Sequence, residues 1–546
     1  MHVFEIVIAL LLGGALLAGL ARRLGMPYPA LVALAGALLA LAPGTPTLVL
    51  DPELALALFV APVLLDAAFD ASLRDLRANW RPIAGLALGA VALTVIAVAL
   101  VVRALVPEMP WGAALALGAI VAPPDAAAAT AVLRQLRPPN RLLGILEGES
   151  LFNDASALLI YRLAVGATIA GAVVGWNVLP MLLVVTAGSV ILGLALSRLS
   201  LIVIARIEDV ATTVIVQFGS TFAVWLLAER LQLSGILTMV VYAIALARRT
   251  PDVIPARIRI PSYAVWEVAV FVLNVLAFIL IGFQLKSIVM RLDRATWLEY
   301  LWIAIAVCAA AMLARIAWVT AAAAFSRWRC RPRPDGAPGP NDMVALSPRA
   351  AALVGWCGMR GIVTLAAALA LPTGGAGAPP FPYRDLILFT AFAVVLGTLV
   401  LQGLTLRPLM MRLRLDDDGA VEREVRLARA NTLRAALTAT EATSGADRVA
   451  FMRHWYELQL RRTEAQLEDE AGRESDSPRH DRAEIWSSAD ADAVRAALAA
   501  ERQRLSALRT EGIIGDAAFQ KVEQELDWTE LHLQQLLQSE QSTQGS

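Results

Sequence analysis

The sequence predicts an all-α integral membrane protein of about thirteen transmembrane helices followed by a helical cytosolic tail, and three observations lead there. The first is composition. Of 546 residues, 58% are hydrophobic and only 17% charged, with a mean hydropathy of +0.62, whereas soluble domains carry roughly a quarter charged residues. Such a chain needs lipid as part of its solvent. The second is length: a helix crossing the hydrocarbon layer needs about 20 apolar residues, and segments of that kind follow one another up to residue 412. The third is the change at about Arg414, beyond which the sequence turns charged and rich in Ala and Gln.

Taken in order, the expected spans are 4–21, 28–44, 52–70, 82–104, 111–133, 146–173, 178–204, 209–228, 233–248, 265–286, 297–325, 347–371 and 385–408. The first is followed, not preceded, by basic residues, Arg22 and Arg23. That is the reverse of a signal peptide, so it reads as a retained helix with its N-terminus outside. Cytoplasmic loops carry the arginine excess in such proteins. With the N-terminus outside, Arg74, Arg77, Arg81, Arg134, Arg137, Arg141 and the group from Arg327 to Arg333 fall inside, while Arg103, Arg230, Lys286, Arg291, Arg294 and Arg384 fall outside. An odd number of spans and a cytoplasmic C-terminus follow, in a bacterial inner (plasma) membrane. We therefore divide the chain into a transmembrane domain at 1–412 and a cytosolic helical tail at 413–546, with leucines at helical spacing (Leu427, Leu433, Leu437) and a polar linker from Gly472 to Glu484. The tail shows no enzymatic motif.

Other function classes are excluded on chemical grounds. A formal net charge of zero and the lack of a basic tract exclude nucleic acid as a partner. The only lysines are Lys286, after Leu, and Lys521, after Gln, so neither completes a Walker A loop for ATP. His2, His454, His480 and His532 lie outside the spans, leaving no imidazole pair for haem or a bound metal, and Cys308, Cys330 and Cys357 show no paired spacing. We expect no cofactor and no enzymatic activity; the only ions implicated are transported ones.

An ionisable side chain near the bilayer centre costs about 2.5 to 3.5 kcal/mol, so charges that persist in spans are functional candidates. The densest group lies in Leu146–Arg162, reading LEGESLFNDASALLIYR. Glu149 and Asn153 are four residues apart, as are Ser150 and Asp154, so two polar pairs project from nearly one helix face. Their oxygens are hard ligands suited to a monovalent cation. Asp154 also accepts a proton, so one group that binds either ion gives exchange through competition. Glu147 reads as a solvated charge at the helix end. The preceding span contains Val121-Ala122-Pro123-Pro124-Asp125, where consecutive prolines break the helix. Broken backbone at membrane depth is tolerated where it lines an ion site, which adds Asp125 and the freed carbonyls to the constellation. A second interruption, Gly355-Trp356-Cys357-Gly358-Met359-Arg360-Gly361, mirrors the first in the opposite half, as inverted-repeat transporters require. Arg360 needs an anion, and we assign it Glu149 as a structural ion pair. Asp66 and Arg315 read as structural partners or helix-end charges.

These residues carry a resemblance. GESLFND (Gly148 to Asp154), the break at Asp125, FILIGFQL (Phe278 to Leu285) and GMRG (Gly358 to Gly361), in this order across most of the membrane domain, resemble the sodium/proton antiporters of the cation:proton antiporter-1 family. The resemblance implies a thirteen-helix fold with two inverted repeats, crossed discontinuous helices, a homodimer and an elevator-like movement. It implies Asp154 as the carrier of proton and cation, Asp125 and Ser150 as co-ligands of the monovalent cation, Asn153 as tuning neighbour, and Glu149 with Arg360 as a structural pair. Relatives often have Thr-Asp-Pro at the break; here Pro124-Asp125-Ala126 leaves only the Pro124 carbonyl at that position. Asn153-Asp154, in place of two aspartates, resembles the electroneutral branch, implying one proton per cation. The leading expectation is thus antiport of Na⁺, with Li⁺ as a second cargo, against H⁺. K⁺/H⁺ exchange is the alternative, and a membrane receptor signalling through the tail is a remote one.

Overall fold

The computed structural model describes residues 2–24, 27–41, 52–136, 138–170, 178–289, 294–329, 346–374, 380–415, 419–441, 459–460 and 488–544. Every regular element among them is helical. Among the described residues, which leave out 42–44 and 171–173 of the second and sixth predicted spans, all thirteen spans fall on helices: α1 (His2–Leu24), α2 (Tyr28–Leu41), α3 (52–69), α5 (Trp80–Leu105), the pair α6 (Trp111–Val121) and α7 (Ala126–Leu136), α8 (Asn140–Ala170), α9 (Val178–Ile204), α10 (Val210–Arg230), α11 (Gly235–Val253), α12 (Ala256–Val289), α13 (Arg294–Arg329), the pair α14 (Pro348–Trp356) and α15 (Ile362–Leu369), and α16 (Arg384–Leu413). A short helix, α4 (Leu73–Ala78), connects α3 to α5; Ser72 caps its start by accepting from the Asp75 amide at 3.2 Å. The ends of the spans differ most at α8 and α12, which start earlier than hydropathy indicates because their first turns are polar.

Among the described residues, six helices are long and apolar enough to cross a membrane on length and composition alone, including Trp80–Leu105, Thr296–Trp328 and Arg384–Leu413. The helix α8 is not one of these. Its interior carries Glu147, Glu149, Asn153 and Asp154, a cost that only burial against other protein elements offsets.

The membrane helices sort into two bundles. Helices α1 to α3 pack mainly with α9 to α12, and α5 to α8 mainly with α13 to α16. In the first bundle α2 lies against α12 closely enough that a Cβ on Gly36 would stand 2.7 Å from the Ile279 carbonyl oxygen. Both discontinuous spans belong to the second bundle. They are the fifth and twelfth in order, an odd number of crossings apart, so they run in opposite directions and meet break to break: the Asp125 amide donates to the Met359 carbonyl at 2.6 Å. The tail forms its own layer. Helices α17 (Ala420–Glu441), α18 (Ser488–Thr510) and α19 (Asp516–Gln544) bury Val425, Leu498, Leu505, Leu508, Phe519 and Val522 among themselves.

Candidate ion-binding site

Between the two bundles lies a cavity of about 880 Å³. Asp154 and Ser150, one turn apart on α8, face it, and so do Asp125, Thr130 and Thr364 from the discontinuous spans. The first bundle contributes Asp66, Tyr28 and Asn274. The four-residue spacing that placed Ser150 and Asp154 on one face of a helix therefore aims both at the same space.

The breaks build the rest of the site. Pro123 and Pro124 have no amide hydrogen to continue α6 past Val121, and the chain restarts as a helix at Ala126. Asp125 caps this new helix, its Oδ1 accepting from the Ala127 amide at 2.8 Å. A carboxylate at a helix start is favoured by the positive end of the helix dipole. Its other oxygen points at Gly361, where a Cβ would stand 1.8 Å from Asp125 Oδ2. Only glycine lets the two breaks cross with a carboxylate between them. Asn153 is fully buried and donates through Nδ2 to the Pro124 carbonyl at 2.9 Å. Its Oδ1 is buried without a hydrogen-bond partner.

The structure corrects the expected ion pair. Glu149 pairs with Arg315 on α13, not with Arg360: Arg315 Nη2 donates to Oε2 at 2.8 Å and Nη1 to Oε1, with 1% and 2% of the two side chains exposed. Arg315 also donates to the Val354 carbonyl at 3.2 Å, near the end of α14. Arg360, fully buried, reaches backbone instead. Its Nε donates to the carbonyl of Val121, the last residue of α6, at 2.8 Å, and Nη1 donates to the Gly358 carbonyl. The physical reason is that a broken helix supplies its own anion. The last carbonyls of α6 lack intrahelical partners and carry the negative end of the dipole, which suits a guanidinium. Glu149 is then left for the bidentate fork of Arg315, which offers two parallel bonds.

Residues 7–412 match the family model described as the transmembrane sodium/hydrogen exchanger. The chain belongs to this family. An uncharacterised Na⁺/H⁺ exchanger of Mycobacterium tuberculosis is 32% identical to it over 97% of this chain and 96% of the relative, so the similarity includes the tail. The sodium, potassium, lithium and rubidium/H⁺ antiporter of Bacillus pumilus is 30% identical over 70% of this chain and 57% of its own length. Among solved structures, the sodium proton antiporter MjNhaP1 of Methanocaldococcus jannaschii shares the fold with a TM-score of 0.57, at 17% identity, over 76% of this chain and 99% of that one.

In this exchanger the structure brings Asp154, Asp125 and Ser150 to one cavity and places Asn153 and Pro124 just behind it, joined to each other. Among the described residues no three His, Cys, Asp or Glu side chains cluster as a tight metal site would require. Two carboxylates with neutral oxygens suit an ion released in every cycle. Sequence reasoning missed the role of Arg315 as the partner of Glu149, and it missed Thr130, Thr364 and Thr398. Thr398 Oγ1 accepts from the Arg360 amide at 3.1 Å, which steadies the second break. Threonines within spans are common packing residues, so no sequence signal marks these.

Proposed function

We propose that the chain exchanges Na⁺, with Li⁺ as a second cargo, for H⁺ across the bacterial inner membrane, with Asp154 binding cation and proton in alternation. One observation carries the reading. At the crossing, Glu149 is neutralised by Arg315 and Asp125 accepts from the Ala127 amide, whereas among the described residues nothing donates to the Asp154 carboxylate. The charge left uncompensated by protein is the one free to be compensated by cargo.

Cation and proton then compete for one carboxylate, and neither leaves it bare in a low-dielectric cavity. Asp125, Ser150 and the Thr364 hydroxyl, which is buried without a partner, are the further oxygens on offer. Asn153 carries no charge through the cycle because a carboxamide does not titrate, and its amide group is held by the Pro124 carbonyl, so one titrating carboxylate moves one cation or one proton and transport is electroneutral. Sliding of the ion-site bundle along the other bundle exposes the cavity to either side. The arginine excess favours the tail side as cytoplasmic and the N-terminus as outside. We also propose a homodimer, as the family resemblance implies.

The test is dequenching of a pH dye in everted vesicles on adding Na⁺, Li⁺ or K⁺, with wild type beside Asp154→Asn. A cation response in the wild type that Asp154→Asn abolishes supports the reading; no response across pH 6 to 9 overturns it. K⁺/H⁺ exchange is the alternative the same assay tests, since the Bacillus pumilus relative carries potassium in its name.

A further inference from the structure

The ion cavity runs from Asp125 and Asp154 toward the tail, where Glu523 and Asp527 of α19 line it beside Asp70 and Glu147. Arg259, in the first turn of α12, holds α19 there, donating through Nε to Asp527 Oδ2 at 2.9 Å. In the other direction the cavity stops. Among the described residues its lining ends at Asp154 on α8, at Thr221 on α10 and at Tyr242 on α11. Past that level the bundles meet, with Tyr161 of α8, Trp225 of α10 and Met239 of α11 all buried. The ion site thus faces the tail side and is sealed from the opposite, outer face.

An ion pair crosses this seal. Arg162, eight residues past Asp154 on α8, donates through Nη2 to both oxygens of Glu229, in the last turn of α10, at 2.9 and 3.0 Å. The two side chains are 50% and 38% exposed. Among the described residues no other ion pair joins the two membrane bundles directly: Glu149 with Arg315 and Arg134 with Glu147 lie inside the second bundle, while Arg74 and Arg259 reach tail residues. A pair inside one bundle survives when the bundles slide. The Arg162 and Glu229 pair does not, because a hydrogen bond reaches only about 3.2 Å and its two ends belong to the two sliding bodies. Arg162 also breaks the apolar run of the sixth predicted span, at a cost that a charge without a role would not justify.

We infer that Arg162 and Glu229 form an outer latch: positioning residues that hold the ion-site bundle in its tail-facing arrangement and part each time the site turns to the outer face. The inference rests on the antiport reading, since only exchange requires the site to turn. A partly exposed ion pair adds little to the stability of a fold, but it shifts an equilibrium between two arrangements by about 1.4- to 5-fold when only one of them contains it. The shift has a side. A cation arriving at the outer face binds only the fraction of molecules whose latch has parted, so the latch raises the half-saturating concentration there by that factor. At the tail side the competent arrangement is the latched one, and removing the latch does not improve binding.

The experiment uses the full-length protein in membrane vesicles of both orientations, everted vesicles presenting the tail side to added Na⁺ and right-side-out vesicles the outer face. Arg162→Gln and Glu229→Gln are each expected to lower the half-saturating Na⁺ at the outer face by about 1.4- to 5-fold, and not to lower it at the tail side. Arg162→Glu combined with Glu229→Arg is expected to restore the wild-type value, which a loss of packing would not allow. A cross-link keeps the test alive if a single variant fails to reach the membrane. In a background with the native cysteines replaced, Arg162→Cys with Glu229→Cys is joined by a short, reductively cleavable bis-thiol linker, and the joined protein is expected to lose most of its exchange and regain it on cleavage. Single variants with an unchanged outer half-saturation, a reversed pair that restores nothing, or a joined protein as fast as the cleaved one would each overturn the latch. If the wild type responds to no cation in either orientation, the antiport reading fails instead, so the two failures are distinct.

Discussion

Glu149 and Arg315 form a bidentate ion pair with almost no exposure to solvent, Glu149 lying five residues before Asp154 on α8. It ties α8 to α13, and through the Val354 carbonyl to α14, so the helix bearing the candidate ion site is registered against the second discontinuous span. The charges within the pair are spent on geometry. Replacing Glu149 by Gln leaves Arg315 buried beside a neutral amide, a loss of roughly 3 to 5 kcal/mol for a broken buried pair. Thermal unfolding of purified protein in detergent is expected to show Glu149→Gln strongly destabilised, and Asp154→Asn close to wild type. Equal melting temperatures for Glu149→Gln and wild type would show that the pair does not hold the helices.

The contact between Gly361 and Asp125 makes a sharper demand. A methyl group at Gly361 would overlap Asp125 Oδ2, so Gly361→Ala must displace either the cap of α7 or the second break. Overpacking of this kind costs about 1 to 3 kcal/mol, small against the stability of the whole bundle but concentrated at the site. Gly361→Ala is expected to fold and insert normally while losing most transport, measured as vesicle dequenching normalised to protein level. Transport within a factor of about two of wild type, roughly 0.4 kcal/mol on the barrier, would mean the close approach is incidental.

Asn153 tests the role of a neutral amide. Asn153→Asp keeps the shape but, when ionised, sets a carboxylate against the Pro124 carbonyl in place of the 2.9 Å hydrogen bond. Only the protonated acid restores a donor. The variant is therefore expected to work best in acid and to fall away from wild type as pH rises. Superimposable pH profiles would show that the bond to Pro124 is dispensable.

The membrane fold and the gathering of Asp154, Ser150 and Asp125 around one cavity were legible because the physics that governs them is local. Lipid forces apolar spans of fixed length, so thirteen segments stood out, and consecutive prolines or glycines mark a break wherever they fall. The pair Ser150 and Asp154 was legible because a helix fixes which residues share a face. The partner of Glu149 was not. Pairing depends on depth and on which way each helix is rotated in the bundle, and both Arg315 and Arg360 are arginines in apolar surroundings. What separated them was the end of α6, whose free carbonyls claim Arg360; a break shows where carbonyls are freed but not which cation reaches them. The position of the tail was likewise beyond reach, because Arg259 and Asp527 are 268 residues apart and each looks like an ordinary helix-end charge.

Glu523 gives the docked tail a dependence on pH whose sign can be worked out. Burial pushes its carboxyl up to about 7, against the opposing pull of Arg259; Asp527 adds to the rise, while Arg502 and Arg509 oppose it. Tyr263 of α12 also lies within electrostatic reach. A free glutamate titrates near 4.3. A carboxyl raised in the docked state favours docking while it is protonated, so its contribution is complete below the free value, declines as pH rises, and is gone above about 7. Docking is thus expected to loosen between about pH 4.3 and 7 and to change little beyond on this account. Limited proteolysis of the tail in intact everted vesicles, across pH 5 to 8, measures it directly. Cleavage should quicken with pH in the wild type, whereas Glu523→Gln, permanently neutral, should stay protected at pH 8. If Glu523→Gln is cleaved as fast as wild type at pH 8, the carboxyl does not set the docking equilibrium. Asp527→Asn provides the contrast, since it removes the partner of Arg259 rather than a protonation step, and its tail should be open to protease at every pH.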